Sequence, residues 1–114
     1  MKIINLLLLL LVLFPSNAFA KTERDYQDEF CIDGVKEYIL DDKTRVDCLT
    51  EDYAIEIDYA KKFYECIGQS IYYGLQTKRQ PACALIVGEN DDRFIKRLET
   101  VAKEYDIKVF VINK

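Results

Sequence analysis

The hydrophobic period of the chain changes at Ala60, and that change bounds the fold more tightly than any other feature. Upstream, Arg45-Val46-Asp47-Cys48-Leu49 and Ala54-Ile55-Glu56-Ile57-Asp58-Tyr59 alternate with the period of strands. Downstream, Phe63, Ile67, Ile71 and Leu75 recur at every fourth residue, the mark of an amphipathic helix ending near Thr77, ahead of Lys78-Arg79-Gln80-Pro81. A strand meander followed by a helix requires a sheet with at least one helical crossover.

The flanking segments extend this pattern. Tyr26 to Ile32 reads as a short helix stopped by Asp33-Gly34, after a polar leader from Lys21 to Asp25. Lys36 to Leu40 reads as a strand, joined to the next by the polar turn Asp41-Asp42-Lys43-Thr44. Ala82 to Val87 is a continuous apolar run of buried-strand length. Asn90 or Asp91 can cap a further helix whose apolar face is Phe94, Leu98, Val101, Ala102 and Tyr105. Ile107 to Ile112 closes the chain as a strand. The predicted order is α-β-β-β-α-β-α-β in an α/β (α+β) fold with one mixed sheet, and strand-helix-strand at the end implies a right-handed parallel crossover.

Residues 1–20 carry the three regions of a signal peptide in order. Lys2 supplies the charge, Ile3 to Phe14 the apolar stretch, and Ala18-Phe19-Ala20 follows a Pro15 break as the cleavage site. The apolar run is shorter than the roughly 20 residues that cross a hydrocarbon core, so cleavage leaves no stable membrane anchor. Residues 21–114 form one domain, expected to be exported, periplasmic or secreted. Losing Lys2 leaves 15 basic against 20 acidic residues, a net charge of −5.

A domain this small buries a limited share of its surface, and staples help. Cys31, Cys48, Cys66 and Cys83 are an even set in an exported chain and read as two disulfides. With no C-x-x-C pair and no His, a zinc or thioredoxin-type site is excluded as a first reading. Of the three possible pairings the element order favours Cys31–Cys48 with Cys66–Cys83, and the other two stay open.

Chemistry concentrates between Arg45 and Tyr73. Glu56 and Asp58 are two apart on a strand and share a face, and Asp47 on the neighbouring strand can stand beside Glu56. Carboxylates brought so close repel, and a divalent cation with oxygen ligands relieves the repulsion, which suits magnesium, manganese or calcium.

Hairpin strands bearing Asp47 and Glu56, then the helix with Gln69-Ser70-Ile71-Tyr72-Tyr73, then a parallel strand, resemble the PD-(D/E)XK (restriction-endonuclease-like, RecB-like) nuclease superfamily. The resemblance spans roughly Glu29 to Val87 and is similar to small exported bacterial members of unassigned role. It implies a restriction-endonuclease-like core and a Mg2+- or Mn2+-dependent phosphodiester hydrolase acting on nucleic acid. Asp47 and Glu56 match the metal-binding acids, and Gln69 matches the Q-x-x-x-Y motif. The family's lysine position is occupied by Asp58, so the implied ligand set is Asp47, Glu56 and Asp58. Lys62 (or Lys61), at the start of the helix, then supplies the positive charge.

Plainer roles stand beside each of these. Asp58 can cap the following helix, Lys61 and Lys62 can be solvated surface residues, and Gln69 with Tyr73 can be a surface pair. Arg45 or a lysine can neutralise Asp47 and Glu56 as a structural ion pair. A net charge of −5 opposes general affinity for phosphates, which comes from Lys and Arg. The alternative to an enzyme is therefore a catalytically inactive exported binding or envelope module on a nuclease-like scaffold, with an unidentified protein partner.

Overall fold

The computed structural model describes residues 20–114. Apart from Ala20, the expected signal peptide lies outside the described residues. Helix α1 (Glu23–Phe30) leads into strands β1 (Val35–Ile39), β2 (Arg45–Leu49) and β3 (Tyr53–Tyr59). A 3-10 turn (Ala60–Lys62) opens helix α2 (Phe63–Thr77), followed by β4 (Gln80–Val87), α3 (Asp92–Tyr105) and β5 (Lys108–Asn113). The class is mixed α/β, as expected.

The five strands lie side by side in chain order, β1-β2-β3-β4-β5. The β1/β2 and β2/β3 pairs are antiparallel, and the β3/β4 and β4/β5 pairs are parallel. Successive parallel crossovers of one hand set α2 and α3 on the same face. That face holds the larger core, in which Phe63 and Cys66 meet Cys83, Leu85 and Val87 of β4 and Leu98 and Ala102 of α3. Phe63, Leu85 and Leu98 are almost wholly buried there, each stabilising the fold by roughly 1.5–3 kcal/mol. The opposite face packs Ile55, Ile57, Ala82, Ala84 and Ile86 under Tyr26 and Cys31 of the α1 region.

The bridges are Cys31–Cys48 and Cys66–Cys83, with Cα atoms 5.8 and 5.9 Å apart. The first fastens the end of α1 to β2, and the second fastens α2 to β4. Each closes the same span of 17 residues, which constrains the unfolded chain by about 3 kcal/mol. Gly34 makes the first bridge possible, because a Cβ there would lie 2.7 Å from Cys48 Sγ and 3.0 Å from Leu49 O.

Three local expectations need correction. The segment from Lys21 is not a loose leader. Thr22 caps α1 in a reciprocal box, with Asp25 N–H donating to Thr22 Oγ1 at 3.2 Å and Thr22 N–H donating to Asp25 Oδ2 at 2.9 Å. The helix expected from Ala60 is a 3-10 turn for its first three residues. Asp91 occupies the N-cap of α3 without capping it, because its Oδ2 instead accepts the Gly88 N–H at 2.7 Å.

Candidate functional site

The regular β2/β3 ladder pairs Leu49 with Ala54 and Cys48 with Ile55, and stops there. At the next position Asp47 and Glu56 face each other, and their side chains take over the hydrogen bonding. Ile57 N–H donates to Asp47 Oδ2 at 2.9 Å, and Asp47 N–H donates to Glu56 Oε1 at 3.3 Å. The ladder on the other side of β2 is disturbed at the same level. Between the pairs Lys36–Cys48 and Tyr38–Val46, Glu37 adopts φ 53°, a left-handed conformation that costs a non-glycine strand residue on the order of 1 kcal/mol.

This distortion turns the Glu37 carboxylate toward α1. Gln27, buried at the base of α1, donates from Nε2 to Glu37 Oε1 at 3.3 Å and to the Asp47 carbonyl at 3.0 Å. Arg24 and Arg45 also approach Glu37, at 3.5 and 3.9 Å. The ion pair expected between Arg45 and the inner acids is therefore not formed. Among the described residues no salt bridge reaches Asp47, Glu56 or Asp58.

Their electrostatics follow. Glu56 is 4% exposed. Burial, followed by the charge of Asp47, pushes its carboxyl up to about 9. Burial also raises Asp47, while the Ile57 N–H and the Glu56 carboxyl, both donating to it, hold it down. Both carboxyls are thus pushed toward their neutral forms, Glu56 the further. Asp58 is raised to about 7 by burial, then by the charges of Glu23, Asp47 and Glu65, against the attraction of Lys62. Its Oδ2 is buried without a hydrogen-bond partner.

Asp58 does not cap the helix. Neither the 3-10 turn nor α2 has a side-chain cap, and their N-cap positions are Tyr59 and Lys62. Lys62 is exposed and acts on Asp58 through its charge, whereas Lys61 lines a separate cavity with Tyr59 and Phe94. Gln69 is exposed on α2 and forms no hydrogen bond to the acids. Tyr73, one turn further along, is the aromatic group that faces them: burial and then the Glu56 charge raise its hydroxyl.

Among the described residues no three His, Cys, Asp or Glu side chains converge closely enough to hold a metal ion. The donor set is nonetheless all oxygen, and Mg2+ is commonly held by one or two carboxylates completed by water and substrate phosphates. The Asp47 and Glu56 carboxylates fit that description as a two-carboxylate donor pair, and Asp58 does not converge with them.

Glu37, Gln27 and Glu23 escaped the sequence reading. The signal for α1 was present in Thr22-Glu23-Arg24-Asp25, a capping-box pattern. Nothing in the composition of β1 marks Glu37 as left-handed. No family model, curated protein or solved structure matches the chain. Among the described residues no helix is long and apolar enough to cross a membrane, and two disulfides fit an oxidising compartment.

Proposed function

We propose that the chain is a divalent-metal-dependent phosphodiester hydrolase of PD-(D/E)XK type, acting on nucleic acid outside the cytoplasm. One observation carries the reading: buried Glu56 and half-buried Asp47 stand side by side, and among the described residues no cation is paired with either. Burying two carboxylates this way costs folding free energy unless a proton or a cation compensates. A structural role is served as well by Asn and Gln of the same shape. The acids themselves gain their use when Mg2+ or Mn2+ replaces the compensating proton.

In this reading Asp47 and Glu56 hold the cation, with Asp58 as the group that orients water. A bound Mg2+ or Mn2+ supplies Lewis acidity toward a phosphodiester oxygen. Gln27 and the Ile57 N–H keep Asp47 aimed, and Tyr73 limits access of solvent from the α2 side. Lys62 offers positive charge to developing phosphorane oxygens. Gln69 is free to contact substrate directly.

The rival reading, an inactive binding module, is favoured by the absence of a three-donor group among the described residues and by Asp58 where the resemblance expects a lysine. Calorimetric titration of the disulfide-intact protein with MnCl2, followed by assay on single-stranded DNA and RNA, separates the two. The hydrolase reading expects saturable Mn2+ binding that Asp47→Asn and Glu56→Gln both remove, together with cleavage lost in the same variants. Cleavage that persists in both variants, or no metal uptake with or without substrate, rejects it in favour of the module.

A further inference from the structure

The acids lie apart from a basic cavity elsewhere on the sheet. At the carboxyl ends of the parallel strands, a cavity of about 480 Å3 opens between Tyr59 of β3, Ile86 of β4, Lys114 after β5 and the first turn of α3. Three cations line it, Lys61, Arg93 and Lys114, against one acid, Asp91. In a chain with more acids than bases this is a local reversal of sign.

The single acid is already engaged, since Asp91 Oδ2 accepts the Gly88 N–H. The cations have no carboxylate partner among the described residues. Two of them rest on aromatic rings: the Arg93 guanidinium carbon lies 4.5 Å from the Phe94 centroid and Lys114 Nζ lies 5.2 Å from the Tyr59 centroid. The charged heads themselves lie on these rings, and Arg93 Nη1 also donates to the Asn90 carbonyl at 3.3 Å. Among the described residues the remaining guanidinium N–H groups and the ammonium groups thus stay without a carboxylate partner for an anion to replace. Behind them Ile86 gives an apolar floor.

We propose that this cavity binds a phosphomonoester of nucleotide size. The arginine fork and two ammonium groups match a dianion, which two or more donors engage at once. The volume falls in the range of small-ligand pockets and exceeds what a bare phosphate fills. The apolar floor and aromatic walls take the body of the ester. None of Asp47, Glu56 or Asp58 lines the cavity, so the inference stands independently of the metal reading.

The test is calorimetry on the disulfide-intact protein with a chelator present, using adenosine 5′-monophosphate, adenosine and inorganic phosphate as probes. The monophosphate is expected to bind in the sub-millimolar range, adenosine not at all, and inorganic phosphate more weakly. Lys61→Gln and Arg93→Gln should each weaken the monophosphate about tenfold, the loss of one charge-assisted contact. Lys78→Gln, outside the cavity, should leave it unchanged. These positions are exposed, and circular dichroism verifies the fold. No heat from the monophosphate up to about 5 mM, a concentration that saturates a sub-millimolar site, overturns the proposal. Equal affinity for inorganic phosphate, or binding indifferent to both substitutions, does so too.

Discussion

Ile57 N–H donates to Asp47 Oδ2 at 2.9 Å, so a side chain stands where an antiparallel ladder would place a backbone carbonyl. Asp47 is thereby fixed by the fold. Asp47→Ala leaves a buried amide unsatisfied and should destabilise the protein by about 1–3 kcal/mol in urea unfolding. Asp47→Asn retains an acceptor at that amide and removes a desolvated charge, so its unfolding midpoint should match or exceed that of wild type while metal binding is lost. Equal loss of stability in both variants would show that charge, rather than the hydrogen bond, is what the fold requires.

The raised acids set the sign of the pH dependence. Glu56 sits at about 9 in the folded protein against an ordinary 4.5, and Asp58 at about 7 against 3.8. Between those limits the folded state binds more protons than the unfolded state. Stability contributed by these groups is therefore complete in acid and is lost as pH rises, at about 1.4 kcal/mol per pH unit for each full proton of difference. Chemical unfolding between pH 5 and about 9, the span these shifts define, should show the decline, and Glu56→Gln should flatten it and be the more stable protein at the alkaline end.

On the proposed hydrolase reading, metal loading competes with protonation of Glu56. A cation at Asp47 and Glu56 must displace that proton, so affinity for Mn2+ should rise with pH, with close to one proton released per ion bound near neutrality. Calorimetry in two buffers of different ionisation enthalpy counts that proton. Affinity unchanged across the window would place any bound metal elsewhere.

Two glycines predict opposite outcomes of one substitution. Gly34→Ala forces a methyl against the Cys31–Cys48 bridge and the Leu49 carbonyl, and should destabilise by about 1–3 kcal/mol. Gly68, within α2, has nothing within 4 Å of a built Cβ, and Gly68→Ala should stabilise by about 0.5–1 kcal/mol. Thermal unfolding of the pair measures both. A neutral Gly34→Ala would mean that the bridge shifts at no cost.

The sheet was legible because its signals are local and repeated. Arg45–Leu49 reads as a strand from alternation alone and is β2 in full. The α2 stripe was only partly legible. Phe63 is buried, but Leu75 is 74% exposed, because the face against the sheet runs through Cys66, Ser70, Tyr73 and Gly74. Small residues let the helix approach β4 closely enough for the Cys66–Cys83 bridge, and small residues do not register as an apolar stripe.

The site was legible to the extent that two acids faced each other. Asp47 opposite Glu56 follows from strand spacing. The left-handed Glu37 does not, since only tertiary pull from Gln27 and Arg24 accounts for it. Asp58 shows the opposite failure. A helix cap was a sound local reading, but the helix opens as a 3-10 turn whose N-cap position falls on Tyr59, one residue past Asp58.

Each bridge joins a cysteine to the next one along the chain. A polypeptide threaded through a membrane from its amino end and oxidised as its thiols appear acquires bonds in that sequence by default. In a chain delivered that way Cys31 would meet Cys48 before Cys66 emerged, so the consecutive pairing is the one of the three possible frameworks that needs no later reshuffling.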